Sequence, residues 1–283
     1  MAAIVGTDGN DNLVSPEASS NDTINALAGD DRIEARGGDD LILPGPGNDR
    51  IEGGDGRDDV LLPGSLDQYE LYRYTAFGNE GVIRGPEGVD TLLDVEAIRT
   101  DISGTREFSD VPEFLSYAYL ASYADLSAAF GEDRDVAWDH FYQVGAVEGR
   151  AITFDGAGYL AANPDVLAAQ GGNVDDAALH YLRFGRAEGR QTDFDGAQYV
   201  ASHADLIAAF RGQGDADALG TNHYISFGLN EGRATDTFNE TTYAAGNPDL
   251  AVAGVVTAEA LAEHWINYGS VEGRAGAYDP VIA

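Results

Sequence analysis

The chain has 283 residues, 49 of them acidic and 16 basic, for a formal net charge of −33. All the basic residues are arginine and none of the chain is cysteine. The negative excess excludes nucleic acid and anionic lipid as partners, and the missing thiols exclude disulfides, thiolate metal sites and cysteine nucleophiles. A hydrophobic share of 43% still leaves enough apolar surface for a core. The length suits two ordinary domains, or one domain and a repeat array.

The N-terminus, MAAIVGTDGND, lacks a charged region, an apolar stretch and a cleavage site, so it does not read as a classical signal peptide. No segment approaches the length of a transmembrane helix, so membrane insertion is not expected.

Six nine-residue units come next: GTDGNDNLV (6–14), EASSNDTIN (17–25), ALAGDDRIE (26–34), ARGGDDLIL (35–43), PGPGNDRIE (44–52) and GGDGRDDVL (53–61). They align on Asp11, Asp22, Asp31, Asp40, Asp49 and Asp58. Two residues after each Asp stands an aliphatic: Leu13, Ile24, Ile33, Ile42, Ile51 or Val60. Gly9, Gly29, Gly38, Gly47 and Gly56 hold the fourth position, and Ser20 replaces glycine in the second unit. A glycine-rich turn exposes several carbonyl oxygens, and the Asp adds a carboxylate. The short strand behind it carries one inward aliphatic and cannot stand alone, so the turns must stack. Stacking sets Asp above Asp, which is unfavourable without a cation between them. Hard oxygen ligands in a flexible loop suit Ca²⁺.

These units resemble the RTX (hemolysin-type) calcium-binding nonapeptide G-G-x-G-x-D-x-U-x, and GGDGRDDVL matches every fixed position. The resemblance implies a parallel β-roll with consecutive turns on alternate sides and several Ca²⁺ ions between turns two repeats apart. Asp11, Asp22, Asp31, Asp40, Asp49 and Asp58 would be the metal residues. It also implies type I secretion through an uncleaved C-terminal signal, placed in Tyr278 to Ala283, and folding in external calcium.

Residues 66–109 lose the nine-residue phase. Gln68 to Tyr74 and Gly81 to Arg84 read as strands, and aliphatics continue at Leu92, Leu93, Val95 and Ile98. The segment reads as a β cap over an otherwise open sheet end. Its G-x-D-T-L…V-E-x-I run resembles segments found directly after RTX repeats, and no chemistry is read from it.

From about residue 110 the composition turns to Ala, Tyr, Phe and His. Four units recur, marked by Tyr119, Tyr159, Tyr199 and Tyr243, then Asp125, Asp165, Asp205 and Asp249, then His140, His180, His223 and His264. Glu-Gly-Arg triplets close them at Arg150, Arg190, Arg233 and Arg274. Asn163-Pro164 and Asn247-Pro248 place an N-cap before a first-turn proline. Around each His, apolar residues at −3, +1 and +4 predict one helical stripe. Gly145, Gly185, Gly228 and Gly269, at +5, read as left-handed caps. Such hairpins cannot bury their stripes singly, so the copies should stack or cluster. Similar units occur beside RTX repeats in bacterial secreted proteins, without an established activity.

One His per copy reads as architecture, its ring bonding a carbonyl, in preference to zinc or catalysis. His203, at an N-cap, reads as exposed. Arg150, Arg190, Arg233 and Arg274 are candidate ligand-binding residues for acidic glycans, with internal pairing to carboxylates such as Glu188 the favoured alternative. H-E-x-x-H, G-x-S-x-G and the phosphate-loop motif are absent from the sequence, so no enzyme is expected and no catalytic residue is assigned.

The expected fold is multidomain β + α: an RTX calcium-binding β-roll over 1–65, a β cap or connector over 66–109, and an all-α four-repeat domain over 110–283. The expected function is a secreted, calcium-binding, non-enzymatic structural protein of an extracellular coat, S-layer-like lattice, filament or matrix. The alternative is a calcium-dependent adhesin or lectin holding polysaccharide on the helical repeats. Expected partners are further copies of the chain or cell-surface polysaccharide, and the type I secretion machinery; the expected location is extracellular or at the cell surface. A fragment of a larger toxin or enzyme is the weakest reading, because the chain reads as complete.

Overall fold

A computed structural model describes residues 2–16, 19–76 and 78–278. The chain divides into two compact units, Met1–Ile152 and Thr153–Ala283. Glu17 and Ala18 of the second nonapeptide lie outside the described residues, as do residues 279–283 of the expected secretion signal.

In the first unit every nonapeptide yields one short strand: β2 (Asn12–Val14), β3 (Thr23–Asn25), β4 (Arg32–Glu34), β5 (Leu41–Leu43), β6 (Arg50–Glu52) and β7 (Asp59–Leu62), with β1 (Ala3–Val5) ahead of them. Consecutive strands join opposite sheets, so each pairs in parallel with the strand two repeats away, as in Thr23↔Leu41 and Arg32↔Arg50. The period-two pleat then points the central aliphatic of each strand inward. Ile24, Ile33, Ile42, Ile51 and Val60 are at most 1% exposed and form one apolar cluster.

Past residue 65 the sequence loses phase, but the stacking continues. A hairpin of β8 (Glu70–Tyr74) and β9 (Glu80–Gly85) precedes β10 (Gly88–Leu93) and β11 (Ala97–Thr100). β10 pairs in parallel with β6, placing Leu92 beside Ile51, and β11 with β7, placing Ile98 beside Val60. β9 and β12 (Gly104–Glu107) then pair antiparallel with β10 and β11. The antiparallel strands cover one end of each sheet, while β1 and β2 are the terminal strands at the other.

The composition change near residue 110 marks where helices begin, yet the first helical copy packs within this same unit. Trp138 stacks on Tyr74 at 5.2 Å between ring centroids, and its indole N–H donates to Glu80 at 2.6 Å. Phe141 meets the edge of Tyr72 at 5.1 Å.

The second unit is helical. One copy contains Gly156–Ala162, Pro164–Gln170 and Val174–His180, the last capped by the Asn173 side chain. Gly196–Ala201, Ala204–Phe210 and Ala216–His223 repeat the pattern, as do Glu240–Gly246, Pro248–Val252 and Ala258–His264. Asn163 and Asn247 hold their N-cap positions, but each side chain instead donates across to carbonyls of its own copy, at Tyr159 and Gln191 or Tyr243 and Ala275.

The expected helical stripe is corrected in one respect. After each His the backbone widens into a π-turn, at Phe141–Gly145, Tyr181–Gly185, Tyr224–Gly228 and Trp265–Gly269. The wider turn needs one more residue to return to the same face. Position +5 therefore faces the core and +4 turns outward: Val144, Phe184, Phe227 and Tyr268 are 45–58% exposed. The +5 glycines are right-handed, with φ of −59° at Gly185, and serve close approach instead of capping. The left-handed cap is the glycine of Glu-Gly-Arg, with φ of 66° at Gly189 and 68° at Gly273.

Candidate metal centre

Asp22, Asp31, Asp40, Asp49 and Asp58 are buried and Asp11 is half-buried. In Asp31, Asp40, Asp49 and Asp58 one oxygen accepts the amide N–H of the Asp stacked on it. Asp11 N–H donates to Asp31 at 2.7 Å and Asp31 N–H to Asp49 at 2.8 Å, forming one column. Asp22 N–H donates to Asp40 at 2.6 Å and Asp40 N–H to Asp58 at 3.0 Å, forming the other.

The second oxygens set four of the six residues apart. Oδ2 of Asp31, Asp40, Asp49 and Asp58 is buried without a hydrogen-bond partner among the described residues, on side chains of residues no more than 3% exposed. An unpaired buried carboxylate costs several kcal/mol. Burial accordingly raises Asp40 and pushes Asp49 and Asp58 up to about 7. Asp11 and Asp22 differ because protein donors reach them. Thr7 supplies its N–H and hydroxyl to Asp11 at 2.6 and 2.9 Å. Ser15, Ala2 and Ser20 donate to Asp22 and hold its carboxyl below the usual range.

These orphan oxygens fit a hard cation, which favours oxygen donors and tolerates irregular geometry. Among the described residues no three His, Asp or Glu side chains converge on one point. Main-chain carbonyls of the turns and water are the further oxygen donors available to a coordination shell there. Residues 18–51 and 45–61 match the family model of the RTX calcium-binding nonapeptide repeat (4 copies). This segment is an RTX repeat region. RTX repeats are calcium-binding and typical of secreted bacterial proteins. Among the described residues no helix is long and apolar enough to cross a membrane. No curated protein matches the chain. A solved structure, the extracellular lipase LipA from Serratia marcescens, is similar at 24% identity over 37% of this chain and 16% of that chain, with a TM-score of 0.18.

The RTX columns run beyond the matched residues. Asp49 N–H donates to Asp90 at 3.0 Å, and Asp58 N–H to Glu96 at 2.8 Å. Val89 N–H donates to Asn48 at 2.9 Å, just as Asn48 N–H donates to Asp30 at 2.9 Å. Sequence reading missed Asp90 and Glu96 because the inserted hairpin breaks the nine-residue spacing. A signal was present: Gly88-Val89-Asp90-Thr91-Leu92 repeats the spacing of Gly47-Asn48-Asp49-Arg50-Ile51.

The arginines and histidines of the helical copies form a separate pattern. Arg190 donates to Glu188 at 2.6 Å and to Asp165 at 2.8 Å. Arg150 pairs with Glu148 and Asp125, Arg233 with Glu231 and Asp205, and Arg274 with Glu272 and Asp249. The guanidinium groups hold Asp125, Asp165, Asp205 and Asp249 below the usual carboxylate range. Each copy's His Nδ1 meets the hydroxyl of its Tyr, where a carbonyl was expected: Tyr119–His140 at 3.0 Å, Tyr159–His180 at 2.8 Å, Tyr199–His223 at 3.0 Å and Tyr243–His264 at 2.8 Å. Burial pushes the Tyr199 hydroxyl up to about 12 and lowers His223 and His264, which disfavours the charged forms of those groups. His203 is half-buried, with Nε2 at 2.8 Å from the Ala234 carbonyl.

Proposed function

We propose that the protein is a secreted, calcium-loaded, non-enzymatic structural component of an extracellular coat, lattice, filament or matrix, and that its alternating parallel sheets are a β-roll. The observation that carries the calcium part is the set of buried, partnerless oxygens on Asp31, Asp40, Asp49 and Asp58. Cations between turns would neutralise the columns and make the strand stack stable in external calcium. Support for a structural role comes from the helical copies, where recurring polar groups are engaged internally. Arg150, Arg190, Arg233 and Arg274 each hold two carboxylates of their own copy, and the four repeat histidines each hold a tyrosine. Residues serving folding in every copy are poor candidates for a single catalytic task. Export by a type I route, and self-association of the folded chain, complete this reading.

A calcium titration from chelator to millimolar, followed by circular dichroism, light scattering and negative-stain microscopy, tests it. Gain of β signal with growth into ordered assemblies is expected. Gain of β signal at constant particle size would overturn the assembly role, and no response to calcium would overturn the whole reading.

A second reading, a calcium-dependent adhesin or lectin, has its own support. Phe184, Phe227 and Tyr268 are 52–58% exposed and each lies beside its copy's His at 5.4–5.5 Å. Exposed rings recurring once per copy are suitable faces for sugar rings. Binding on a glycan array in calcium, lost in Phe184→Ala and Phe227→Ala, would select this reading.

A further inference from the structure

The geometry points to a binding site for a small amphiphilic organic cation in the first unit, in an apolar groove beside Leu27 that runs across the turns of the stack. The buried aspartates of the columns do not line it.

The groove begins with the pleat of one sheet. In a short strand whose central side chain points inward, the third points outward. Asn25 of β3, Leu43 of β5 and Leu61 of β7 therefore share one outer face, with Asn25 opposite Leu43 in the register. Together with Leu27, Pro46 and Pro63 from the turns, these side chains bound a cavity of about 470 Å³. That volume is within the range that holds a small molecule.

Leu27 is the residue that the repeat chemistry does not explain. It has φ of +73°, in the left-handed region, where an L side chain is strained. The nonapeptide pattern has glycine at this position, and the turn two repeats on keeps it as Gly45, with φ +90°. A Cβ on Gly45 would collide with the Leu27 carbonyl, whereas Leu27 has room for its whole side chain, half-buried at the groove. Strained residues of this kind collect at ligand sites. Glycine at position 27 would relieve the strain and remove one apolar wall.

Charge selects the occupant. Of the lining residues Asp8, Glu87 and Asp101 are acidic and none is basic. Among the described residues no arginine pairs with any of the three. Arg99, opposite Leu61 in the neighbouring strand, is engaged by Asp59 at 3.0 Å. The three carboxylates do not converge as a metal site. An apolar floor under an uncompensated negative rim suits a ligand with an aliphatic body and one positive charge, and repels a carboxylate of the same shape.

The test titrates the intact chain, in saturating calcium, with three probes of equal length: n-octylammonium, n-octanol and n-octanoate. Methyl NMR shifts of Leu27, Leu43 and Leu61 report binding. Saturable shifts are expected with octylammonium, weaker binding with octanol and none with octanoate. Leu27→Gly is expected to weaken octylammonium about tenfold, the worth of one leucine contact, and to keep the wild-type circular dichroism spectrum, since glycine accepts this φ. Asp101→Asn, at an exposed position, leaves the fold untouched; it should weaken octylammonium about two- to fivefold and octanol not at all. Octanoate bound as tightly as octylammonium, no saturable shift at the three leucines, an unchanged affinity in Leu27→Gly, or equal losses for octanol and octylammonium in Asp101→Asn would each overturn the inference.

Discussion

Tyr159 Oη lies 2.8 Å from His180 Nδ1, and a Cβ added to Gly185 would collide with that same oxygen. The glycine five residues after each histidine therefore exists to let the tyrosine hydroxyl pass. Replacing Gly185 by Ala is expected to destabilise the second unit by about 1–3 kcal/mol, the usual range for overpacking. Tyr159→Phe removes the obstructing oxygen, so the double variant should lose less than the sum of the single losses. A denaturant double-mutant cycle measures that coupling; strict additivity would contradict the steric account.

Protons and calcium should compete for the columns. Burial pushes Asp49 and Asp58 up to about 7 from an ordinary 3.8. The folded, calcium-free stack thus holds more protons than the unfolded chain between about pH 4 and 7 and loses stability as pH rises through that window. Calcium must displace those protons from the folded stack, but the unfolded chain is already deprotonated and the calcium-free stack is the more stable at lower pH, so the calcium midpoint for folding should be lower at pH 6 than at pH 8. Circular dichroism titrations at the two pH values decide this, and a higher midpoint at pH 6 would count against buried carboxylates with raised pKa.

The helical copies should respond to acid in the opposite direction. Arg274 holds Asp249 below its ordinary 3.8, so the ion pair stabilises above that value and its contribution is lost as pH falls through it. The difference in Tm between wild type and Arg274→Gln should therefore shrink towards zero in strong acid. For the histidines, burial lowers His223 and His264 below 6.5. Their NMR titration midpoints should fall below that of a free imidazole, and stability should decline as pH drops past about 6.5. Midpoints at or above it would show the rings to be solvated.

Burial also separates two residues that sequence treats alike. Ile51 is 0% exposed beneath the columns, whereas Phe184 is 52% exposed. Ile51→Ala should cost about 2–5 kcal/mol, while Phe184→Ala should stay within about 0.5 kcal/mol. Urea unfolding of the two variants in saturating calcium makes the comparison.

Sequence alone determined the stacking of the first six turns, because a short strand with one aliphatic, repeated every nine residues around Asp31, Asp40 and Asp49, has no other way to bury its side chains. It also identified the repeating tyrosines, histidines and arginines as a set, since their spacing survives small insertions. Tertiary structure decided what depended on contacts between distant residues. Asp90 and Glu96 extend the columns only because a hairpin loops out and returns the chain to register, a closure that no local period records. The outward turn of Phe184 and the inward turn of Gly185 come from one widened helical turn that accommodates Tyr159. Which carboxylates lack a partner was likewise a tertiary matter. Thr7 and Ser15 reach Asp11 and Asp22 at one end of the stack, and among the described residues no donor reaches Oδ2 of Asp31, Asp40, Asp49 or Asp58 within it.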